Sequence, residues 1–271
     1  MAPIIALIGF GEAGSTFARA AGWGAGAWAY DIRADRMAVA KDAGVSCADS
    51  AVDALAGAEL VLSLVTADQS LHVADAYVDH AARGALWCDM NSVAPETKRA
   101  TAAIVEAGGA RYVDVAVLAP VEPAQMNVPL LLSGKAADDA AVALAVAGFT
   151  NIRVVGTEVG RASAIKMIRS VMVKGIEALT AEMMLAATRA GVADEVLASL
   201  DASERSQPWS ARAAYNIERM ATHGLRRAAE MEESAKTLAA LGVEPLMTNG
   251  TVQRQREQAG HIIAIPTGAA A

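Results

Sequence analysis

The stretch from Ile4 to Asp31 constrains the fold of this chain more than any other. It opens on an apolar run, Ile4-Ile5-Ala6-Leu7-Ile8, the length of one buried strand. Gly9-Phe10-Gly11-Glu12-Ala13-Gly14 follows, then Ser15 to Gly22 with spacing that suits a helix. Ala25 to Tyr30 reads as a second strand, and it delivers an acid, Asp31, twenty-two residues after Gly9. Each glycine has its own task. Gly9 permits a tight turn, Gly11 lets backbone approach a phosphate with no Cβ between them, and Gly14 brings helix and strand close together. The helix N-terminus adds unpaired N–H groups and the positive end of a dipole. Taken alone, the six residues would also suit any glycine-rich turn. With strand, helix and acid in register they form a dinucleotide-binding fingerprint.

That fingerprint nominates Gly9, Phe10, Gly11, Glu12, Ala13 and Gly14 for the pyrophosphate and Asp31 for the adenosine ribose hydroxyls. A carboxylate at Asp31 repels a 2′-phosphate and favours NAD. Arg33 and Arg36 follow closely and could instead contact such a phosphate, so NADP is the alternative, and relative kinetics with the two cofactors decides. Glu59 to Val65 is apolar after its first residue but for Ser63, as a parallel strand buried on both faces should be. Its end, at Val65 and Thr66, lies where such sheets bind ligands.

Strands and helices go on alternating to about residue 156. Helices are expected at Ala34–Asp42, Ser50–Ala56 (with Ser50 as a cap), Leu71–Arg83 and Ala137–Ala147. Strands are expected at Ala85–Asp89, Arg111–Val117, Val128–Leu132 and Ile152–Val155, with a proline-rich loop over Leu118–Pro123. Between two of these elements, Asn91-Ser92-Val93-Ala94-Pro95 places polar groups at a strand end. There Asn91 and Ser92 suit a substrate or nicotinamide contact, or a cap for the helix that Pro95 begins. The character changes after Gly160. Ala162, Ile165, Ile168, Met172, Ile176, Leu179, Met183 and Ala186 recur at helical spacing in one helix of about 30 residues. Further helices are expected at Ala193–Leu200, Pro208–His223, Leu225–Leu241 and Pro245–Gln258, stopped by Gly191, Gly224 and Gly242. Pro266 to Ala271 reads as a frayed tail. The expected architecture is α/β: a doubly wound, mainly parallel Rossmann sheet over 1–158, followed by an all-helical C-terminal domain over 159–271.

Composition excludes some classes. The net charge of −7 gives no electrostatic reason to expect nucleic acid, and 54% hydrophobic residues is too many for a disordered chain. Cys47 and Cys88 read as reduced, buried residues, with no Cys/His cluster for a metal. No apolar run reaches the roughly 18 residues of a membrane span, and the N-terminus lacks a signal peptide's basic region. A cytoplasmic protein acting on a small molecule is expected.

Four segments in order resemble the β-hydroxyacid dehydrogenase family, which includes 3-hydroxyisobutyrate and 6-phosphogluconate dehydrogenases. Gly9–Gly14 is similar to its cofactor motif. Asp89-Met90-Asn91-Ser92-Val93-Ala94-Pro95 resembles its D-x-S-T-x-x-P segment, and Tyr112–Val117 resembles the strand that leads into its substrate loop. Gly160 with Lys166 resembles the helix that carries its catalytic lysine. The tail around His223-Gly224-Leu225-Arg226-Arg227 resembles the C-terminal domain of a phosphogluconate dehydrogenase-like subgroup.

Composition alone makes Lys166 an exposed helix lysine. The resemblance makes it the general acid/base that takes the hydroxyl proton as hydride leaves the same carbon, with Asn91, Ser92 and Ser170 beside the substrate. A free lysine has a pKa of about 10.4, so base work near neutrality calls for burial or a neighbouring cation such as Arg169. His223, with Arg226 and Arg227 at an expected helix junction, could bind an anionic substrate group. It could equally close a helix C-terminus. Two departures bear on the substrate. Where the family has Ser-Gly-Gly to hold a carboxylate, this chain has Leu118-Ala119-Pro120, and Ser170 replaces an asparagine. The substrate implied is bulkier or less polar at that end than 3-hydroxyisobutyrate. An imine reductase on the same scaffold is an alternative, although those enzymes usually have aspartate or tyrosine in place of the lysine. A non-catalytic dinucleotide-binding protein is another. By analogy with the family, a homodimer is expected.

Overall fold

The computed structural model describes residues 3–203 and 207–263. The tail from Pro266 to Ala271 lies outside them. The chain divides into two compact units, Met1–Ser170 and Val171–Ala271.

The first unit runs β1 (Ile5–Ile8), α1 (Glu12–Ala21), β2 (Ala27–Tyr30), α2 (Ala34–Asp42), β3 (Ser46–Cys47), α3 (Ala51–Leu55), β4 (Leu60–Ser63) and α4 (Ser70–Tyr77). It continues through β5 (Leu86–Asp89), α5 (Pro95–Ala107), β6 (Arg111–Val117), α6 (Val121–Ala124), β7 (Leu130–Ser133), α7 (Ala137–Val146) and β8 (Ile152–Gly156) into α8 (Arg161–Ala190). The eight strands form one sheet in the order β3-β2-β1-β4-β5-β6-β7-β8. Every neighbouring pair is parallel except β6 and β7. The strand order reverses between β1 and β4, which opens a crevice at their carboxyl ends.

The apolar runs of the sequence follow from this layering. On β1, Ile5 and Leu7 pack into one core while Ala6 and Ile8 pack into the other. Because both faces are covered, every residue of β1, β4 and β5 is buried and alternation disappears. Ser50 caps α3 as expected, its hydroxyl oxygen accepting the Asp53 N–H at 3.2 Å. Three features escaped the sequence, one of them the short helix α6 at Val121–Ala124, which begins inside the expected proline-rich loop. β3 is two residues long, too short to carry a pattern, and the fourth helix ends at Tyr77 in a 3₁₀ turn over Val78–His80. Cys47, read as buried, is exposed on edge strand β3, whereas Cys88 is buried in β5.

The second unit is helical among its described residues: the rest of α8, α9 (Ala193–Ser203), α10 (Trp209–Ala240) and α11 (Leu246–Gln258). Here one expectation fails. Gly224 does not separate two helices, and α10 runs through it for 32 residues. Gly224 is buried, and a Cβ on it would overlap the Gln255 carbonyl oxygen and crowd Ala259. The glycine permits close approach of α10 and α11, a use that sequence cannot tell from a stop signal. The same helix dissolves the junction expected at His223, Arg226 and Arg227. Arg226 instead pairs with Glu230 one turn on.

Candidate functional site

The crevice is built first by three glycines, and the space around each separates their roles. Gly9 leaves β1 at φ +94°, and a Cβ there would come within 2.6 Å of the Leu64 carbonyl oxygen and 3.1 Å of Val65 Cγ1. A Cβ on Gly14 would come within 3.0 Å of the Gly9 carbonyl oxygen. These two glycines are demanded by the chain itself. Gly11, the N-cap of α1, has extended backbone, and a Cβ added there would meet nothing within 4 Å. Among the described residues no packing requires a glycine at that position. The open space in front of a helix N-terminus is what a pyrophosphate needs. The residues present fit a dinucleotide cofactor on this ground.

Glu12 and Ala13 start α1 directly behind that space. Phe10 is buried, and its N–H donates to Asp31 Oδ2 at 2.8 Å. Asp31 Oδ1 accepts the Arg33 N–H at 2.9 Å. Asp31 therefore ties the glycine turn to the end of β2, a function the sequence did not announce, while each oxygen keeps a second lone pair for a ribose hydroxyl. Arg33 forms a two-point pair with Asp35, at 3.0 Å and 2.8 Å, and Arg36 lies 3.8 Å from the same carboxylate. Val65 and Thr66 follow β4 across the crevice from Gly9.

The second half of the site leaves β5. Neither Asn91 nor Ser92 caps α5, whose N-cap is Ala94 with no side-chain bond, so the capping alternative is overturned. The backbone turns first, and Pro95 starts the helix without needing a donor. Asn91 is buried, and its Nδ2 donates to Ser63 Oγ at 3.0 Å and Ser70 Oγ at 3.2 Å. Among the described residues the buried Asn91 Oδ1 has no hydrogen-bond partner, and it can accept from a bound cofactor or substrate. Ser92 is exposed, and its Oγ accepts Lys166 Nζ at 2.6 Å. Lys166 is half-buried on the second turn of α8. Gly160, just before that helix at φ +96°, has no room for a Cβ, which would come within 2.6 Å of the Arg99 guanidinium.

Ser170 lies four residues beyond Lys166, and its hydroxyl donates to the Lys166 carbonyl at 2.9 Å. It remains able to accept. Arg169 is exposed and donates to the Leu118 carbonyl at 3.3 Å. In the Leu118-Ala119-Pro120 loop the Leu118 N–H is committed to the Pro129 carbonyl at 3.0 Å, and Pro120 has none. The loop cannot supply a row of backbone donors to a carboxylate. His223 is exposed midway along α10, in the second unit. The structure thus brings together Ser92, Lys166 and Ser170 within the first unit. It also reveals Ser63, Ser70 and a buried group of Asp89, Lys98, Tyr112 and Asp114 that the sequence reading passed over. Among the described residues no group of three or more His, Cys, Asp or Glu could hold a metal ion. No described helix is long and apolar enough to cross a membrane.

Known proteins match both units. Residues 4–156 match the NAD binding domain of 6-phosphogluconate dehydrogenase, and residues 187–258 match a domain of unknown function, DUF1932. A conserved hypothetical protein from Sinorhizobium meliloti is 37% identical, with 94% of this chain and 88% of that one covered and a TM-score of 0.63. A conserved protein of unknown function, described as structurally similar to 3-hydroxyacid dehydrogenases, is 29% identical over 94% of this chain and 96% of its own, with a TM-score of 0.61. An imine reductase from Myxococcus stipitatus in complex with NADP+ has the same fold at a TM-score of 0.78 and 20% identity, over 94% of this chain and 93% of that one. The chain is an NAD(P)-dependent oxidoreductase that belongs to the β-hydroxyacid dehydrogenase family, with NAD or NADP as its cofactor and a DUF1932 domain at its C-terminal end.

Proposed function

We propose that the protein interconverts a small hydroxy acid or related alcohol and its carbonyl form, with Lys166 as general acid/base. The observation that carries this reading is the 2.6 Å contact between Lys166 Nζ and Ser92 Oγ, beside a strand end that shares the sheet's carboxyl edge with the glycine turn. When bound, the nicotinamide takes up or supplies the hydride. Lys166 takes the substrate's hydroxyl proton in oxidation and returns it in reduction. Ser92 accepts from the amine and so aims it, while its own O–H stays available to donate to a substrate oxygen. Asn91 Oδ1 offers a buried acceptor to cofactor or substrate, and Ser170 Oγ an exposable one. We favour NAD, because Asp31 presents a carboxylate where a 2′-phosphate would sit.

Imine reduction on the same scaffold is the second reading. It is favoured by the Leu118 N–H bound to Pro129 and the missing N–H of Pro120, since an imine brings no carboxylate to cradle. Lys166 argues for the alcohol. We further propose a cytoplasmic homodimer formed through the second unit, where α8 leaves Val171, Met172, Ile176 and Leu179 exposed. The test of function is a spectrophotometric screen of hydroxy acids and cyclic imines with both cofactors, on wild type and Lys166→Ala. Turnover should fall by orders of magnitude in Lys166→Ala with NADH binding intact. Near-wild-type turnover of the variant removes the acid/base role, reduction of imines alone supports the second reading, and tight NADH binding with no turnover makes the protein a binder.

A further inference from the structure

Lysine is almost never fully buried unless it is paired, yet Lys98 is 0% exposed. It sits on the first turn of α5, and its ammonium points back to the end of β5 and the middle of β6. Nζ donates to the Asp89 carbonyl at 2.6 Å and lies 3.0 Å from Asp89 Oδ1 and 3.6 Å from Asp114 Oδ1. Asp89 and Asp114 are register partners on the parallel pair β5 and β6, and both are fully buried. Two like charges side by side on neighbouring strands repel, and the single ammonium between them is what lets both stay.

Each carboxylate holds a different half of the candidate site. Asp89 Oδ1 accepts the Asn91 N–H at 3.0 Å, one residue before Ser92, while its Oδ2 is fixed by the Tyr112 hydroxyl at 2.7 Å and the Ser70 hydroxyl at 3.3 Å. Asp114 Oδ2 accepts the Gly160 N–H at 3.1 Å and the Ser163 N–H at 3.0 Å, which fixes the start of α8 one turn before Lys166. It also accepts the Ser133 hydroxyl at 3.1 Å, and that oxygen accepts the Ala162 N–H at 3.0 Å. From the ammonium one arm runs through Asp89 to Ser92 and the other through Asp114 to Lys166. The Ser92–Lys166 contact joins the two ends.

We propose that Lys98 is a positioning residue: by holding Asp89 and Asp114 around one ammonium, it sets the separation and alignment of Ser92 and Lys166. Apolar side chains in place of all three charged groups could fill the same volume without loss of stability, so a buried ion group here points to geometry as its use. The inference rests on the proposed role of Lys166. Removing the ammonium leaves two facing carboxylates that push the arms apart.

The test uses Lys98→Met and Asp114→Asn in the full chain, the second leaving a neutral Lys98–Asp89 pair in case the first does not fold. Three quantities are read: the NADH dissociation constant by fluorescence titration, kcat and KM on the best substrate of the screen, and the Ser92 Oγ to Lys166 Nζ distance in crystal structures. An ångström of displacement predicts a kcat lower by about a hundredfold. KM and the NADH constant should stay within about threefold of wild type, a split that general loosening of the fold would not produce. The Ser92–Lys166 contact should be broken. A folded variant with kcat within about twofold of wild type, or with that contact unchanged, overturns the proposal. If wild type turns over nothing, the acid/base reading has failed, and the crystal structures alone judge Lys98.

Discussion

The three glycines of the turn predict a separation of stability from binding that only one placement of the cofactor explains. In Gly11→Ala the added methyl meets nothing within 4 Å and the backbone is extended, at φ −73° and ψ −155°, which alanine adopts. The folded chain should tolerate it and gain about 0.4–1 kcal/mol from the lost freedom of the unfolded state. The methyl nevertheless fills the space before α1, so NADH should bind at least about tenfold more weakly, a loss of about 1.4 kcal/mol. Gly9→Ala is the converse. Its backbone stands at φ +94°, a strain of about 1–3 kcal/mol for any other residue, and its methyl would approach the Leu64 carbonyl oxygen to 2.6 Å. With the crowding added, about 2–4 kcal/mol of destabilisation is expected. Thermal unfolding without ligand and NADH fluorescence titration measure the two effects. A Gly11→Ala protein that binds NADH as wild type does, or that melts well below it, refutes the assignment of that space to the cofactor.

Two further perturbations concern the second unit. Glu182 is buried on α8, and its carboxylate accepts the Met247 and Thr248 N–H groups at 2.8 Å and 2.9 Å together with the Thr248 hydroxyl. Burial pushes its pKa up, but those donors outweigh burial and hold it below the ordinary range. A depressed pKa adds stability above the free glutamate value of about 4.3 and loses it as pH falls through the folded value, so Glu182→Gln should cost about 1–3 kcal/mol at neutral pH and flatten the acid limb of the melting profile. An unchanged acid limb refutes the assignment. Gly224→Ala should lower stability by about 1–3 kcal/mol, because the methyl overlaps the Gln255 carbonyl oxygen; melting at the wild-type temperature would show that α10 and α11 are not so closely packed.

What the sequence disclosed depended on whether a residue's use leaves a local trace. Arg111–Val117 and Ala34–Asp42 were read with their observed ends, because a strand rich in β-branched residues and a helix between turn residues are local patterns. Gly224 was misread because a glycine that ends a helix and one that admits a neighbouring helix look identical until the neighbour is known. Asn91 and Ser92 had the right composition for caps, yet the chain needs another turn before Pro95, and their side chains go to Ser63, Ser70 and Lys166.

Lys98 is the sharpest case. In sequence it is a polar residue in Pro95-Glu96-Thr97-Lys98-Arg99, on a helix with solvent on one side, and nothing in that pentapeptide distinguishes it from Arg99. The sign that it differs lies in two other places, Asp89 at the end of one buried strand and Asp114 in the middle of the next. One acid on a buried strand is ordinary; acids at matching positions of two neighbouring strands call for a cation or a shared proton, and the register that makes them neighbours is a property of the sheet. The same sheet order brings the loop after β5 to the helix after β8. The pair most important to the proposed chemistry, Ser92 and Lys166, is separated by 74 positions and is joined through groups on three other elements, β5, α5 and β6. A family motif can name the members of such a pair one by one. What holds them at 2.6 Å is long-range pairing of strands, and that is where a change remote from both should disturb the reaction first.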